Sequence, residues 1–365
     1  MTNAVNIAQI GSNNTTFRNK IINGACVIDQ RNAGATVNTN NTFPVDRFQQ
    51  QFSGAGVLTS KQSTDAPEGF TNSLEVKVTT IDASIGSTDF FQIFQAIEGF
   101  NAADIGLGQS WCKPMALSFW VKASQTGTYP VQLANTGGTR CYPTTITVNS
   151  ANTWEYKTIS VPATTSGTFL TDNNIGLGLR IGFVYGSNYN GATANSWGTF
   201  STFANSFATT SNNMMSTLNA TFYITGVQLE AGSAASPFEY RSYGTELALC
   251  QRYAASTFPI GTAWGQNKGA SGCLIVSSPG AGVGFGVQVP FRFPVTMRTT
   301  PTTITTYNPS AANANARYLA GSSDLTTTGL PFSQNSMNSV CFTPDTAGTS
   351  VGAAIGLHIS VEAEL

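Results

Sequence analysis

Charge is what this chain has least of. Asp, Glu, Lys and Arg make up 10% of its 365 residues, against roughly 25% in an ordinary soluble domain. Lys and Arg number 17 and Asp and Glu 18, a net charge of −1. With no basic excess to neutralise phosphates, a nucleic-acid partner is not expected. Thr, Asn, Ser, Gly and Ala fill the deficit. They solvate a surface without charge and leave little repulsion between copies, which suits a chain that assembles. Histidine is nearly missing too: only His358 occurs, in a strand-like run near the end. One such residue does not make a histidine-based metal site or a Ser-His-Asp triad, and no catalytic residue is assigned. The six cysteines (Cys26, Cys112, Cys141, Cys250, Cys273 and Cys341) include no Cys-x-x-Cys pair. They read as small buried hydrophobes, not a disulfide network. No apolar run reaches the roughly 18–20 residues that span a bilayer, so membrane insertion is not expected. Met1 to Ile10 has neither a basic stretch nor an apolar core, so no secretory signal is read and synthesis is expected in the cytoplasm.

Hydrophobic residues, at 41%, and aromatics, at 11%, suffice for a packed core. They come in short strand-like pieces. Leu74 to Val78 alternates with period two, and in Met115 to Ala123 the residues Leu117, Phe119 and Val121 share one face. Phe90 to Ile97, Tyr129 to Leu133, Thr144 to Val148, Trp154 to Val161 and Leu177 to Tyr185 follow, separated by turn clusters such as Asn135-Thr136-Gly137-Gly138. In Thr221 to Gly232, Phe222 and Ile224 have one parity and Val227 and Leu229 the other, which predicts a β-bulge at Thr225-Gly226. A helix is predicted over Thr245 to Ala254, capped by Gly244-Thr245, with Leu247, Cys250 and Ala254 on one face. Strands resume at Cys273–Val276, Gly284–Phe291, Thr302–Tyr307, Ser339–Phe342 and Ala353–Glu362. The fold class is therefore all-β: an antiparallel jelly-roll or β-sandwich, then a second, smaller β-sandwich, joined by a short helix. The division expected is an extended N-terminal docking arm at 1–22, the sandwich at 23–242, a linker helix at 243–254 and a C-terminal β-domain at 255–365.

Three stretches carry a resemblance. They are Arg18 to Gly24 with Val27 to Arg31 and Val45-Asp46-Arg47-Phe48; Phe222 to Gly232; and Pro237 to Arg241 with Leu247 to Tyr253. Over about residues 18–253 the chain resembles tail-fibre or appendage structural proteins of tailed bacteriophages, whose central domain is similar to carbohydrate-binding jelly rolls. The resemblance implies a virion protein, homotrimeric, bound to other virion proteins through its N-terminal arm and to host surface glycan through its loops. An architectural capsid-decoration, neck or collar part without receptor binding is the alternative.

Several residues are candidates for specific roles. Asp46 and Arg47 are expected to make buried structural hydrogen bonds, Arg47 bidentate to a carboxylate. Glu75 and Glu230, on strands at opposite ends of the central domain, are candidate ligands for a structural Ca²⁺; no other cofactor is expected. Tyr185 to Met215 reads as a polar insertion interleaved with Tyr189, Trp197, Phe200, Phe203 and Phe207. Such rings stack on sugars and also anchor protein interfaces. The spacing of Trp197, Phe200, Ala204 and Phe207 also fits one face of a short packed helix.

Overall fold

A computed structural model of the chain describes residues 17–210, 212–277, 289–319, 324–325, 335–342 and 352–365. The first unit runs through β1 (Thr42–Val45), β2 (Phe48–Ser53), β3 (Val57–Ser63), β4 (Ser73–Thr80), β5 (Phe90–Glu98), β6 (Met115–Ala123) and β7 (Gly127–Ala134). It continues through β8 (Arg140–Val148), β9 (Glu155–Val161), β10 (Ile175–Tyr185), β11 (Asn190–Ala192), β12 (Gly198–Thr199), β13 (Phe207–Ala208) and β14 (Thr221–Ala231). One antiparallel sheet has the order β1-β2-β5-β10-β7-β8-β12, and a second has β3-β4-β14-β6-β9. Neighbours distant in sequence, such as β10 between β5 and β7, make this a jelly-roll-like sandwich. Period-two alternation sends Phe91, Ile93, Leu179, Ile181 and Phe183 of one sheet against Val76, Val78, Phe119, Val121 and Phe222 of the other in a single core. Phe222 sits at its centre, 5.1 Å from the Tyr129 ring and 5.3 Å from that of Phe183.

The phase change in β14 is a bulge. Its register against β6 shifts between Thr225 and Gln228, with Gly226 at φ +63°. A Cβ at Gly226 would meet the Phe70 ring at 2.7 Å. The shift turns Val227 and Leu229 to the same core as Phe222 and Ile224. It also frees β14 backbone groups for another segment. Val227 N donates to Gly24 O (2.9 Å), Lys20 N to Leu229 O (2.8 Å) and Leu229 N to Asn19 Oδ1 (3.0 Å), while Asn19 Nδ2 donates to Val227 O (3.0 Å). A Cβ at Gly24 would lie 2.1 Å from Val227 O, so only glycine fits this close approach. Glu239 accepts from the backbone N–H groups of Phe17, Arg18 and Asn19, and Arg241 donates to the Asn19 and Ile21 carbonyls. All three stretches that carry the resemblance thus meet in one clasp. The arm boundary expected at residue 22 falls inside it: Asn19, Ile21 and Ile22 are buried, and residues 1–16 lie outside those described.

The helix runs Tyr243–Gln251 with Ser242 as N-cap, two residues earlier than the sequence pattern implies. Its first turn tolerates Gly244 because those N–H groups have no intrahelical partner in any case, and Ala254 has already left for a strand. Cys250, with Tyr253 just beyond the helix, packs on Ile22 and Ile28. The C-terminal unit then has β15 (Ala254–Ser256), β16 (Leu274–Ser277), β17 (Val289–Arg292), β18 (Thr303–Tyr307), β19 (Ala316–Tyr318), β20 (Asp324–Leu325), β21 (Ser339–Phe342) and β22 (Ala354–Glu362). Strand β22 pairs with β15, β16, β18 and β19. Of the strand predicted over Gly284–Phe291, residues 284–288 lie outside those described. All six cysteines are free thiols.

An arginine-rich junction ties the two units. Arg31 bonds Asp46 (3.2 Å) and Glu364 (2.8 Å), and Arg47 bonds the other Glu364 oxygen. Arg298 donates to the Ala363 and Glu364 carbonyls and to Asn173 O. Arg252 and Tyr253 both donate to Glu98.

His358 is buried within the C-terminal unit. Its Nε2 lies 2.9 Å from Gly269 O and its Nδ1 2.9 Å from Thr257 Oγ1, with the ring stacked on Phe258. Gly269 O only accepts, so Nε2 carries the proton and Nδ1 accepts from the Thr257 hydroxyl. Burial pulls the imidazole below its ordinary 6.5. The unfolded chain therefore takes up the proton first. The stability held above pH 6.5 is lost as pH falls through the folded value. Asp46, which burial pushes up to about 6 against the pull of Arg31, titrates nearby with the opposite sign. The readout is therefore the difference in Tm between wild type and His358→Gln. That gap should close as pH drops from 7 towards 5, and a gap independent of pH would contradict the assignment.

Candidate functional site

The outer face of the seven-stranded sheet is where side chains of the second parity collect. On β2 these are Gln49 and Gln51; on β5, Phe90, Gln92 and Phe94; on β10, Gly178, Arg180 and Gly182. Part of this face is covered. The insertion after Tyr185 is stitched to β7 and β8: Gln132 Nε2 donates to Ser206 O and Oγ (both 2.9 Å), Asn195 N to Pro143 O (2.8 Å), and β12 pairs with β8. Over β2, β5 and β10 a pocket of about 210 Å³ remains, lined by Gln51, Phe90, Gln92, Arg180, Tyr185, Tyr189, Phe203 and Phe207.

One wall is aromatic. Phe207 stacks on Tyr185 at 3.8 Å, and Tyr189 stands edge-on to Phe90 at 5.8 Å. The floor is a polar relay. Tyr185 OH donates to Gln92 Oε1 (2.7 Å), Gln92 Nε2 to Gln51 Oε1 (2.7 Å), and Gln51 Nε2 to Gln49 Oε1 (2.6 Å). Burial pushes the Tyr185 phenol far above its ordinary value, so it stays a donor. Each amide is oriented by the next, and each has hydrogen-bonding capacity left for a ligand. A flat apolar wall above a fixed row of donors and acceptors matches the two kinds of surface a sugar ring presents.

Arg180 supplies the only formal charge on the lining. Its guanidinium lies over the Phe94 ring (4.5 Å) and the Phe203 ring (4.3 Å). Its Nη1 is sealed from solvent with no hydrogen-bond partner. Burial pulls Arg180 down to about 10, and the acids that oppose the shift are only the neutral Tyr185 and Cys141. Two ring contacts contribute roughly 0.5–2 kcal/mol each. Taking a guanidinium out of water costs several kcal/mol. The site therefore carries a cation that its own residues leave under-compensated.

The structure brings together three of the five aromatics singled out in the sequence: Tyr189, Phe203 and Phe207. Trp197 packs instead on Tyr142 and Phe169, its Nε1 donating to Pro162 O (2.7 Å). Phe200 lies over Gly198, away from the pocket lining. The short helix that their spacing fitted is not there. Thr202, Phe203 and Asn205 have positive φ, which a right-handed helix does not allow. Sequence reading missed Gln51, Phe90, Gln92, Arg180 and Tyr185. The available signal was Gly178-Leu179-Arg180-Ile181-Gly182, a lone charge flanked by glycines in an apolar strand.

No protein-family model and no curated protein matches the chain. Solved structures with similar arrangement include the enzymatically active domain of tailspike protein 4 of bacteriophage CBA120, at 12% identity and TM-score 0.32 over 59% of this chain and 22% of that one. A family 11 carbohydrate-binding module from Clostridium thermocellum matches at 14% identity and TM-score 0.28, over 55% of this chain and 98% of the module. A family 22 module from the same organism matches at 13% and 0.30, over 56% and 98%.

The remaining candidates lie elsewhere. Glu75 pairs with Lys61 at 3.6 Å on the five-stranded sheet, opposite Tyr223. Glu230 is buried further along β14 and accepts from Gln228 and Ser236. With about 3.3 Å per strand residue, roughly 20 Å separates the two carboxylates, so they do not converge on one ion. Asp46 and Arg47 are both buried, as expected. Arg47 is not bidentate to a carboxylate. One nitrogen bonds Glu364, another donates to Ala96 O (2.7 Å), and the guanidinium lies 3.6 Å from the Tyr253 ring centroid. The β1–β2 turn, with Arg47 at φ +70°, aims it between the two units instead of along one carboxylate.

Proposed function

We propose that this chain is a non-enzymatic attachment protein of a tailed-phage particle, a tail fibre or appendage, that holds host surface glycan in the outer-face pocket. The observation that carries the reading is the pairing of the Tyr185–Phe207 wall with the Tyr185–Gln92–Gln51 relay. The pocket lining contains no carboxylate, so the paired acids of a glycoside hydrolase are not supplied by it. In this reading the protein resides in the virion, assembles as a homotrimer and multiplies weak sugar contacts into avidity. The N-terminal arm docks it on other virion proteins.

The test is binding of the full chain to an array of bacterial surface polysaccharides, repeated with Tyr189→Ala and Phe203→Ala. Each ring removed is expected to weaken binding roughly tenfold, equivalent to about 1.4 kcal/mol. A blank array, together with a particle reconstruction that buries the pocket against a neighbouring subunit, would replace attachment with the architectural neck or collar role.

A further inference from the structure

We infer that the ligand of the outer-face pocket is an acidic saccharide, whose carboxylate pairs with the edge of the Arg180 guanidinium. The inference rests on the reading of the pocket as a sugar site and narrows it. Three features of the pocket lead there.

First, Arg180 is held in place without being neutralised. Its guanidinium packs on two rings, 4.5 Å from the Phe94 centroid and 4.3 Å from that of Phe203. Among the described residues it makes no hydrogen bond and no ion pair, and Nη1 is unpartnered. Two other buried arginines contrast sharply: Arg31 has Asp46 and Glu364, and Arg47 has Glu364. Arg180 lines the pocket without such a partner.

Second, the space around it is cleared by sequence. Gly178 and Gly182 flank Arg180 on the same face of β10. A Cβ at Gly178 would come within 2.8 Å of Phe94 and 3.1 Å of Arg180 Nη1, and one at Gly182 within 2.2 Å of Tyr185. The two glycines let the guanidinium and the Tyr185 ring lie down on the sheet. Opposite Arg180 on β7, Gln132 turns its amide nitrogen to Ser206, and its Oε1 is likewise unpartnered. Among the described residues no acid pairs with the guanidinium.

Third, the fork favours one kind of partner. The guanidinium donors lie in its plane, so an acceptor meets the cation at its N–H edge. A planar carboxylate meets that edge with two parallel hydrogen bonds, which a single hydroxyl cannot do. A sugar bearing a carboxylate can rest its ring on the aromatic wall and its hydroxyls on the glutamine relay while the acid reaches Arg180. A neutral sugar would leave the cation as it found it.

The experiment compares matched pairs by calorimetry on the full chain: oligogalacturonate against its carboxyl-reduced counterpart, and sialyllactose against lactose. Wild type should prefer the acid of at least one pair by roughly ten- to a hundredfold, and the preference should shrink as salt rises. Arg180→Gln should abolish the preference, so that the acid and the neutral partner of each pair bind equally. Arg180→Lys, which retains charge but not the fork, should retain only part of the preference, and it covers the case in which the glutamine variant fails to fold. Equal binding of acid and neutral forms by wild type overturns the inference and leaves the sugar site standing. Binding of neither form across the panel overturns both.

Discussion

Replacing Glu364 with alanine is expected to cost about 3–5 kcal/mol of stability, the range for removing one partner from a buried ion pair. Its two oxygens are divided between Arg31 and Arg47, and both guanidiniums are almost entirely out of water, with side chains 9% and 2% exposed. Alanine leaves Arg31 with Asp46 and a distant Glu362 at 3.6 Å. Among the described residues it leaves Arg47 with no anion in a salt bridge, only the Ala96 carbonyl and the Tyr253 ring. Burial by itself would lower Arg31; Glu364, Asp46 and Glu362 outweigh it and hold the guanidinium above its ordinary value, so removing the first of them matters most. Urea unfolding followed by tryptophan fluorescence measures the loss. Because the residue sits where the two units meet, the variant should also unfold in two steps where wild type unfolds in one. A midpoint unchanged by the substitution would mean that the arginines find other partners and the junction is not held by charge.

Asn19→Ala should rank next, at about 3 kcal/mol. The Asn19 side chain makes three buried bonds: Nδ2 donates to Val227 O, and Oδ1 accepts from Ile21 N and Leu229 N. Each is worth roughly 1 kcal/mol net, and stranded backbone groups add to that. The bulge in β14 makes the loss worse, because a regular strand would have offered Val227 and Leu229 a ladder partner in place of a side chain. Amide hydrogen exchange gives a sharper readout than global stability: Val227 and Leu229 should lose protection before Phe222 and Ile224, which pair with both β4 and β6. Uniform loss along the strand would show that the segment 19–24 merely covers β14 and does not complete it.

The all-β fold was legible because alternation is a local signal. Leu117, Phe119 and Val121 face inward as their spacing requires, and the phase change between Ile224 and Val227 announced the bulge, since Gly226 reaches a positive φ at no steric cost. The pocket was half legible. Aromatic rings in a polar insertion stand out in composition, yet nothing local says that Tyr189, Phe203 and Phe207 fold back over the sheet while Trp197 turns to Tyr142. The sheet-side half was hidden for another reason. Gln51, Gln92 and Arg180 are unremarkable singly. They meet only because β2, β5 and β10 are neighbours, and adjacency of strands far apart in sequence is a tertiary fact. Helical spacing misled at Trp197 to Phe207 because periodicity cannot detect left-handed backbone at Thr202 and Phe203.

The clasp formed by Asn19 to Gly24, the β14 bulge and Glu239 to Arg241 has a modular corollary. None of the eight pocket residues falls within it. Side chains of the insertion and of the sheet face can therefore be exchanged without disturbing the contacts that complete β14, and the frame by itself does not dictate what the pocket holds.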